Sequence, residues 1–216
     1  MNVLIMADIQ YDFLPGGALP VSRGDIVIPV ANRLMPYFDL VVATQDWHPQ
    51  NHVSFASNHP GHKPGDVIDV DGIQQILWPD HCVPGTHGAE LSVDLRRDEI
   101  DHYVHKGTNP RIDSYSTFFD NAHLQSTGLC DYLKERGVND VYLMGLATDY
   151  CVKYSVLDAC KLGFTTFVVT DGCRGINLHP GDIDHAFVEM QTAGATLLHS
   201  EDVIRKLSDK GKGMAA

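Results

Sequence analysis

Two apolar runs flank a helical pattern in VYLMGLATDYCVKYSVLDACKLGFTTFVVTD, residues 141–171. The runs at 141–145 and 164–171 are short and rich in Val, Leu, Phe and Thr, which is typical of buried strands. Between them, apolar residues recur at spacings of three and four over 149–162, and Gly163 follows as a helix-ending glycine. The segment therefore predicts a strand, a helix and a second strand that runs parallel to the first.

The same alternation of strands and helices extends over the rest of the chain. Uninterrupted apolar runs indicate strands that are buried on both faces, as in a parallel sheet with helices on either side. We therefore predict an α/β fold, a three-layer, doubly wound sheet of about six mainly parallel strands with helices on both faces. The other predicted strands are VLIMAD (3–8), LVVATQD (40–46), YVHKG (103–107) and ATLLHS (195–200), and the other predicted helices cover 25–38, 89–99, 121–136, 181–193 and 201–208.

The chain of 216 residues has the length of one α/β domain, which we place at 1–208. The last residues, 209–216, are predicted to be frayed. Residues 47–88 are rich in Pro, Gly, His, Asn and Asp and match no regular element. A loop of this length in a compact domain is usually functional, so we expect part of the site to lie in it.

Composition excludes several classes of protein. Asp and Glu outnumber Lys and Arg by 28 to 16, and the net charge of −12 would repel nucleic acids and anionic membranes. No apolar segment approaches the roughly 18 residues of a membrane span, and the start MNVLIMADIQ fits a first strand better than a signal peptide. The cysteines show no CxxC spacing, which argues against a disulfide framework or a zinc knuckle and favours a cytoplasmic protein. They lie at positions 82, 130, 151, 160 and 173.

Reactive side chains occur at the ends of three predicted strands. Asp8, Lys106 and Cys151 lie at or just after these ends, and ligands of an open parallel sheet bind beyond the carboxyl ends of its strands. Cys151 falls in the first turn of a helix, where the positive dipole end favours a thiolate. A carboxylate and an ammonium beside it would complete a nucleophilic site. For each residue alone the simpler alternative is structural, a buried thiol or a salt bridge.

A second group of residues has the composition of a metal site. Asp46, His48 and His81 offer one carboxylate and two imidazoles, which leave coordination positions open as a catalytic metal requires. Seven of the twelve histidines lie between positions 48 and 102, so we look for ligands there. The role of His52 is left open, and a surface or core position is the simpler expectation for the remaining histidines. The ligand set suits a divalent metal, and its donors suit zinc, iron and manganese alike. Zinc is the ion that we expect.

Together, these motifs resemble the nicotinamidase (pyrazinamidase) branch of the isochorismatase-like cysteine hydrolases. The resemblance covers nearly the whole chain, and several motifs in one order are more specific than any one of them. It implies an enzyme, an amidohydrolase that converts nicotinamide, and also pyrazinamide, to the acid and ammonia, as in NAD salvage. The motifs are ADIQYDF, GGALPV, ATQDWHPQNHVSF, ILWPDHCVPGTHGAEL, HKG, YSTF and GLATDYCVKYSVLDACKLGF.

The resemblance implies a catalytic role for each residue of the first group. Cys151 would be the nucleophile that forms a nicotinoyl thioester, Asp8 the general base and acid, and Lys106 the cation beside both. The backbone N–H groups of Ala147 and Cys151 would form an oxyanion hole. The family usually has a cis peptide bond just before the residue that matches Ala147, so the bond between Leu146 and Ala147 is predicted to be cis.

The resemblance also implies how a small-molecule substrate, nicotinamide, is held. The metal on the Asp–His–His group would bind the pyridine nitrogen, and Phe13, Trp78 and Tyr115 would form an aromatic wall around the ring. Ser54 occupies the position where some members carry a further His or Glu ligand, and it could act only weakly or through water. The segment TNPRIDS, 108–114, varies in such proteins. A homo-oligomer is compatible with the sequence.

Three other functions remain open at this point. A metal-free isochorismatase-like hydrolase would act on another amide or on an enol ether. An iron oxygenase with two histidines and one carboxylate would use the same ligands, although usually on a β-sandwich barrel and without need of Cys151. A non-enzymatic metal-binding protein would leave the convergence of Asp8, Lys106 and Cys151 unexplained.

Overall fold

A computed structural model describes residues 1–213 of the chain. Over these residues the chain forms five α-helices and eight β-strands, joined by short 3₁₀ turns. The strands are β1 (Asn2–Ala7), β2 (Leu40–Asp46), β3 (Val67–Val70), β4 (Ile73–Ile76), β5 (His102–Lys106), β6 (Asp140–Leu146), β7 (Thr165–Arg174) and β8 (Thr196–Leu198). The helices are α1 (Val27–Leu34), α2 (Leu129–Glu135), α3 (Lys153–Lys161), α4 (Asp182–Thr192) and α5 (Ser200–Gly213).

Six strands of the described chain form one parallel sheet in the order β5-β2-β1-β6-β7-β8. The central strands β1 and β6 are buried along almost their whole length, which explains their uninterrupted apolar sequences. These six strands are the predicted ones, and the predicted doubly wound fold class is confirmed. From β1 the chain proceeds towards one edge of the sheet, and from β6 it proceeds towards the other edge. At such a switch point a crevice forms beyond the carboxyl ends of the two strands.

The carboxyl ends of β1 and β6 approach so closely that position 145 must be glycine. Gly145 has a φ of 122°, and a Cβ atom there would lie 2.2 Å from Ala7 O. Such contacts are far shorter than the van der Waals separation of two heavy atoms, so any side chain would push the two strands apart. The close approach brings the residues that follow β1 and β6 to the same crevice.

The predicted helix at 89–99 is wrong, because this segment contains no α-helix and only short 3₁₀ turns at its ends. Its backbone groups pair with the segment that follows β1 instead. Tyr11 N–H donates to Glu90 O and Ser92 N–H donates to Ile9 O, both at about 3 Å. These long-range bonds use groups that a helix would have paired internally.

The predicted helix at 121–136 is shorter in the structure, where only α2 is helical. The Asp120 carboxylate accepts the N–H groups of Ala122, Leu124 and Gln125, which closes a turn ahead of the helix. This local side-chain capping competes with helix formation, as is common for Asp. The helix can therefore begin only after the turn.

The remaining helices match the predictions, with shifted ends. The helix predicted at 25–38 is α1 with a 3₁₀ turn on either side. α5 continues to Gly213, and the fraying of 209–216 stays a prediction. Residues 214–216 lie outside the described part of the chain. None of the described helices is both long and apolar enough to cross a membrane.

Residues 47–88, predicted to lack regular structure, contain an antiparallel hairpin formed by β3 and β4. Asp71 and Gly72 connect the strands, and both have positive φ angles, 53° and 87°. An Asp-Gly pair is typical of a two-residue hairpin turn, because both central positions require this conformation. The prediction that this segment lacks regular structure is therefore wrong for residues 67–76. The Asp-Gly pair is the sequence feature that indicates the hairpin.

Candidate active site and metal centre

Three side chains from separate strand ends meet beyond the carboxyl edge of the sheet. Asp8 follows β1, Lys106 ends β5 and Cys151 lies shortly after β6. Lys106 Nζ lies 2.9 Å from Asp8 Oδ2 and donates to Cys151 Sγ at 3.3 Å. It also donates to Ser114 O at 3.0 Å and to Asp46 Oδ1. The three residues predicted to be catalytic therefore lie in one buried cluster.

Burial and neighbouring charges set the proton affinities in this cluster. Burial raises the pKa of the Asp8 carboxyl group, although Lys106 opposes the shift. Burial also raises the pKa of the Cys151 thiol well above its usual value, and Lys106 again opposes it. Burial disfavours ionisation of Asp46 too, but Lys106 and His48 hold its pKa well below the usual range. Asp46 is therefore an anion, whereas Cys151 keeps its proton until a base accepts it.

Cys151 lies in a π-helical turn, residues 148–152, that leads directly into α3. The predicted position in the first helical turn is confirmed, although this turn is wider than an α-helical one. The peptide bond between Leu146 and Ala147 is cis, as predicted. Ala147 and Cys151 both line the pocket described below, and their N–H groups as an oxyanion hole stay a prediction.

Asp46, His48 and His81 direct their donor atoms at one another. Asp46 Oδ2 lies 3.5 Å from His48 Nε2 and 3.8 Å from His81 Nε2. On the far side of each ring, His48 Nδ1 lies 3.1 Å from Gly107 O and His81 Nδ1 lies 2.7 Å from Pro79 O. A carbonyl oxygen can only accept a hydrogen bond, so each Nδ1 carries a proton, and the neutral form of each ring can present its Nε2 lone pair to a cation. This donor set fits a divalent cation.

Two polar residues that the motifs did not single out support the site. Gln10 Oε1 accepts Asp46 N–H at 2.8 Å, and Gln10 Nε2 donates to Asp46 O at 2.9 Å. These two bonds hold the backbone of Asp46. Thr44 Oγ1 donates to Asp8 Oδ1 at 2.6 Å. Both contacts join residues 36 positions apart, so the motifs that contain Gln10 and Thr44 do not show which partner each side chain meets.

Three further polar residues lie beside Asp46, His48 and His81, the candidate ligands that we call the metal-ligand group. Ser54 Oγ lies 2.7 Å from His52 Nδ1, so the hydroxyl faces this histidine. Its predicted role as a ligand through water stays a prediction. Burial lowers the pKa of His52 to about 4, and the ring is therefore neutral. Asp113, from the segment 108–114, reaches the same region with Oδ1 3.9 Å from His48 Nε2, and it was not predicted.

An aromatic pocket opens onto Cys151 and the metal-ligand group. All three residues predicted for its wall line it, and Trp78 Nε1 donates to Tyr115 OH at 3.3 Å. Tyr150 packs edge-on against Trp78 with ring centroids 5.0 Å apart; it was missed although it adjoins the nucleophile. Flat aromatic walls with a few polar groups suit a small aromatic ligand. The lining consists of Phe13, Leu19, Asp46, His48, Trp78, His81, Asp113, Tyr115, Ala147, Tyr150, Cys151 and Ile176.

Comparison with known proteins identifies the family. Residues 2–202 match the isochorismatase domain. The nicotinamidase of Escherichia coli K12 is 51% identical over 200 residues, covering 91% of this chain and 93% of that protein. Among solved structures, the nicotinamidase/pyrazinamidase of Acinetobacter baumanii superimposes with a TM-score of 0.91 at 46% identity, covering 94% of this chain and 97% of that one. The pyrazinamidase of Pyrococcus horikoshii in complex with zinc gives 0.74 at 39% identity, covering 92% and 98%. The chain belongs to the isochorismatase family, and within that family it is similar to the nicotinamidases.

Proposed function

We propose that this chain is a nicotinamidase, which hydrolyses nicotinamide to nicotinate and ammonia through a thioester on Cys151, as in NAD salvage. The supporting observation is that Cys151, which is in one cluster with Asp8 and Lys106, lines the same aromatic pocket as Asp46, His48 and His81. The Escherichia coli and Acinetobacter relatives are nicotinamidases. Pyrazinamide carries the same carboxamide on a similar ring and is proposed as a second substrate.

The cluster accounts for each proton in the reaction. Cys151 Sγ attacks the carboxamide carbon while Asp8 accepts the thiol proton, for which its raised pKa suits it. Asp8 then donates this proton to the departing nitrogen, which leaves as ammonia and a thioester remains. Water attacks the thioester as Asp8 accepts one of its protons, nicotinate departs, and Asp8 returns the proton to Sγ. Lys106 stays charged beside both groups and stabilises the carboxylate form of Asp8.

The residues that would hold the metal are Asp46, His48 and His81. A divalent cation bound there supplies a Lewis acid for the ring nitrogen of a pyridine or pyrazine. The neighbouring pyrazinamidase from Pyrococcus horikoshii was solved with zinc, and we propose zinc for this chain. The two histidines present Nε2 lone pairs, and the aromatic walls orient the ring so that its carboxamide faces Cys151.

The structure argues against two of the alternative functions, the oxygenase and the hydrolase without metal. An oxygenase of the two-histidine type usually has a β-sandwich barrel, whereas this chain has a parallel sheet with a thiol at its switch point. A hydrolase without metal would have no use for the facing Nε2 atoms of His48 and His81. The cytoplasmic location and the homo-oligomer stay predictions.

Ammonia release from nicotinamide by the zinc-loaded protein tests the proposal. We expect turnover with the wild type and none with Cys151→Ala, because no other described thiol lies in the pocket. Cys160→Ala is the matched control, since Cys160 is a half-buried thiol on α3 outside the pocket, and it should retain turnover. A rapid acid quench should trap a nicotinoyl adduct on the peptide that contains Cys151.

Two outcomes would refute the proposal. One is a zinc-loaded wild type that releases no ammonia at millimolar nicotinamide. The other is a Cys151→Ala variant that keeps the rate of the wild type. Oxygen consumption in place of ammonia release would favour the oxygenase instead.

A further inference from the structure

A buried serine on the helix that follows the nucleophile joins two parts of the site. Ser155 lies in α3, four residues after Cys151, and is fully buried. Its hydroxyl donates to Cys151 O at 2.6 Å and accepts Thr117 N–H at 2.9 Å. A hydroxyl has one hydrogen to donate, and the carbonyl oxygen takes it, so the direction of both bonds is fixed. Ser155 therefore links the backbone of the nucleophile to the backbone of residue 117.

The segment 114–118, which contains residue 117, belongs to no helix or strand. Its backbone groups must therefore find partners outside a helix or a ladder. Ser114, at its start, provides the carbonyl oxygen that accepts a hydrogen bond from Lys106 Nζ at 3.0 Å. The position of this segment therefore bears on the position of the Lys106 ammonium group.

These contacts close a ring that begins and ends at the nucleophile. From Cys151 O the ring passes through the Ser155 hydroxyl to Thr117 N–H and along the backbone to Ser114 O. From Ser114 O it passes through Lys106 Nζ back to Cys151 Sγ, which lies 3.3 Å from Nζ. All five residues are buried, so water does not replace a bond that is lost. The ring therefore helps to fix the ammonium group relative to the sulfur.

A simpler explanation of Ser155 is local, because serine and threonine in helices often bond to the carbonyl oxygen four residues earlier. Thr192 does so in α4, where its hydroxyl donates to Val188 O at 2.8 Å. Ser155 makes this local bond and also accepts a backbone N–H from a residue 38 positions away. The second bond does nothing for the helix itself, and it is the one that reaches the segment 114–118.

We propose that Ser155 is a positioning residue for the hydrolysis, which holds the Ser114 carbonyl, and with it the Lys106 ammonium group, in place beside Cys151 Sγ. Ser155 is not among the residues that line the aromatic pocket, so it acts through the backbone at residue 117. The inference rests on the proposed function and adds a residue to its machinery.

The same segment also carries Tyr115, a wall of the pocket, but this residue has its own supports. Tyr115 N–H donates to Asn121 Oδ1 at 2.9 Å, and its hydroxyl accepts Trp78 Nε1–H at 3.3 Å. Loss of the Ser155 bond leaves both contacts available. Formation of the thioester should therefore depend on Ser155 more strongly than binding of nicotinamide does.

Ser155→Ala tests the inference in single-turnover experiments with nicotinamide. Thioester formation and kcat should fall about ten- to a hundred-fold, the scale expected when a catalytic group is misplaced by about 1 Å. KM should stay within about twofold of the wild type, since the walls of the pocket are unchanged. Alkylation of Cys151 by iodoacetamide should also slow, because the reactive thiolate depends on the nearby cation.

Two kinds of variant separate positioning from a general loss of structure. Ser155→Thr keeps the hydroxyl and should restore most of the rate of thioester formation. Ser155→Cys has nearly the size of serine but bonds more weakly, and it should fall between the wild type and Ser155→Ala. Thr192→Ala is the matched control, since it removes the same local bond from an exposed position of α4, and its kinetics should equal those of the wild type.

Three results would overturn the inference. The first is a Ser155→Ala variant that forms the thioester at the rate of the wild type. The second is a rise of KM without a fall of kcat. The third is equal slowing in Ser155→Ala, Ser155→Thr and Ser155→Cys, because the effect would then not follow the hydroxyl. If Ser155→Ala does not fold, the comparison of Ser155→Cys with Ser155→Thr decides the question, and equal rates in these two would contradict the inference.

The failure of this inference and that of the proposed function are distinguishable. A wild type that releases no ammonia from nicotinamide would refute the proposed function, and the inference with it. A wild type that releases ammonia, with an equally active Ser155→Ala variant, would refute only the inference.

Discussion

Lys106 pairs with two buried carboxylates, Asp8 and Asp46, whose pKa values are shifted in opposite directions. Burial disfavours its charge, yet the carboxylates of Asp46 and Asp8 raise its pKa well above the usual value. The ammonium group therefore stays charged and contacts both acids as well as Cys151 Sγ. Removing one partner of such a cluster leaves an uncompensated buried charge, which is strongly destabilising. Substitutions that preserve volume elsewhere in the cluster are therefore the more informative tests.

Asp8→Asn tests proton transfer, since asparagine keeps the shape of aspartate but cannot accept the thiol proton. We expect thioester formation to slow about a hundred- to ten-thousand-fold, the range of lost general acid–base catalysis. Single-turnover measurement with nicotinamide gives the rate. Zinc content should be unchanged, because Asp46 still pairs with Lys106. A rate within twofold of the wild type would remove Asp8 from the mechanism.

Thr44→Val tests how the pKa of Asp8 is set. The Thr44 hydroxyl donates to the charged form of the carboxylate and so lowers its pKa, and its removal should raise that pKa further. Asp8 acts as a base only when ionised, so the acid limb of the kcat/KM profile should move to higher pH. Thr166→Val is the matched control, because the Thr166 hydroxyl donates to Phe164 O and touches no carboxylate. Coincident acid limbs for wild type and Thr44→Val would contradict the assignment.

At the scale of elements, the site is built from strand ends and the residues that immediately follow them. β5 ends in Lys106. The next residue, Gly107, has a φ of 66°, and its backbone lies directly against the His48 ring. Its carbonyl also faces His48 Nδ1 at 3.1 Å. The end of one strand therefore supplies the Lys106 ammonium group to the cluster and also positions His48, a proposed metal ligand of the neighbouring loop.

Gly107→Ala should disturb the metal site from the end of β5. A Cβ atom there would lie 2.2 Å from His48 Cε1, so the imidazole must move. We expect zinc affinity to fall by about tenfold or more, as for other changes that misalign a ligand. Competition with a chromogenic chelator measures it. Gly163→Ala is the matched control: its φ of 87° imposes similar strain, but no atom lies within 4 Å of the added Cβ. Equal zinc affinity in both variants would show that the ring does not depend on Gly107.

At the scale of the whole molecule, the sheet order brings distant segments together. Asp8, Asp46, Lys106 and Cys151 come from four segments, and the order β5-β2-β1-β6 places their strands side by side. A single domain over 1–208 stays a prediction, and the match to the isochorismatase domain over 2–202 is compatible with it. Of the proposed metal ligands, Asp46 and His48 lie at and just after the end of one of these strands, β2, and His81 lies in a loop farther along the chain.

Zinc should stabilise the folded chain, because the ligand group forms only in the folded state. At a free zinc concentration of about one hundred times its dissociation constant, the free energy of unfolding should rise by about 2.7 kcal/mol. For a chain of this size that raises Tm by about 5–10 °C. Scanning calorimetry with and without chelator measures the shift. His81→Ala should abolish it, and His62→Ala, at an exposed histidine, should not. A Tm that is independent of zinc would contradict the metal site.

The amino-acid pattern by itself determined the six strands and the fold class. It also predicted candidate catalytic and metal-ligand residues, which the structure brings close together, and the family resemblance predicted the cis bond. Strands and helices are marked by local periodicity, and strand ends of a parallel sheet converge on one edge whatever the loops do. At 89–99 the local periodicity predicts a helix, but long-range backbone hydrogen bonds form there instead. The hairpin of β3 and β4, in contrast, is marked in the local sequence by its Asp-Gly turn.

Only the tertiary structure decided which groups support the site. Gln10 and Thr44 contact residues 36 positions away, and Asp113 reaches His48 from a segment without a motif. The proton affinity of Asp8 depends on burial and on Lys106. Burial, distance and hydrogen-bond direction are properties of the packed chain, because they depend on neighbours that no local pattern specifies.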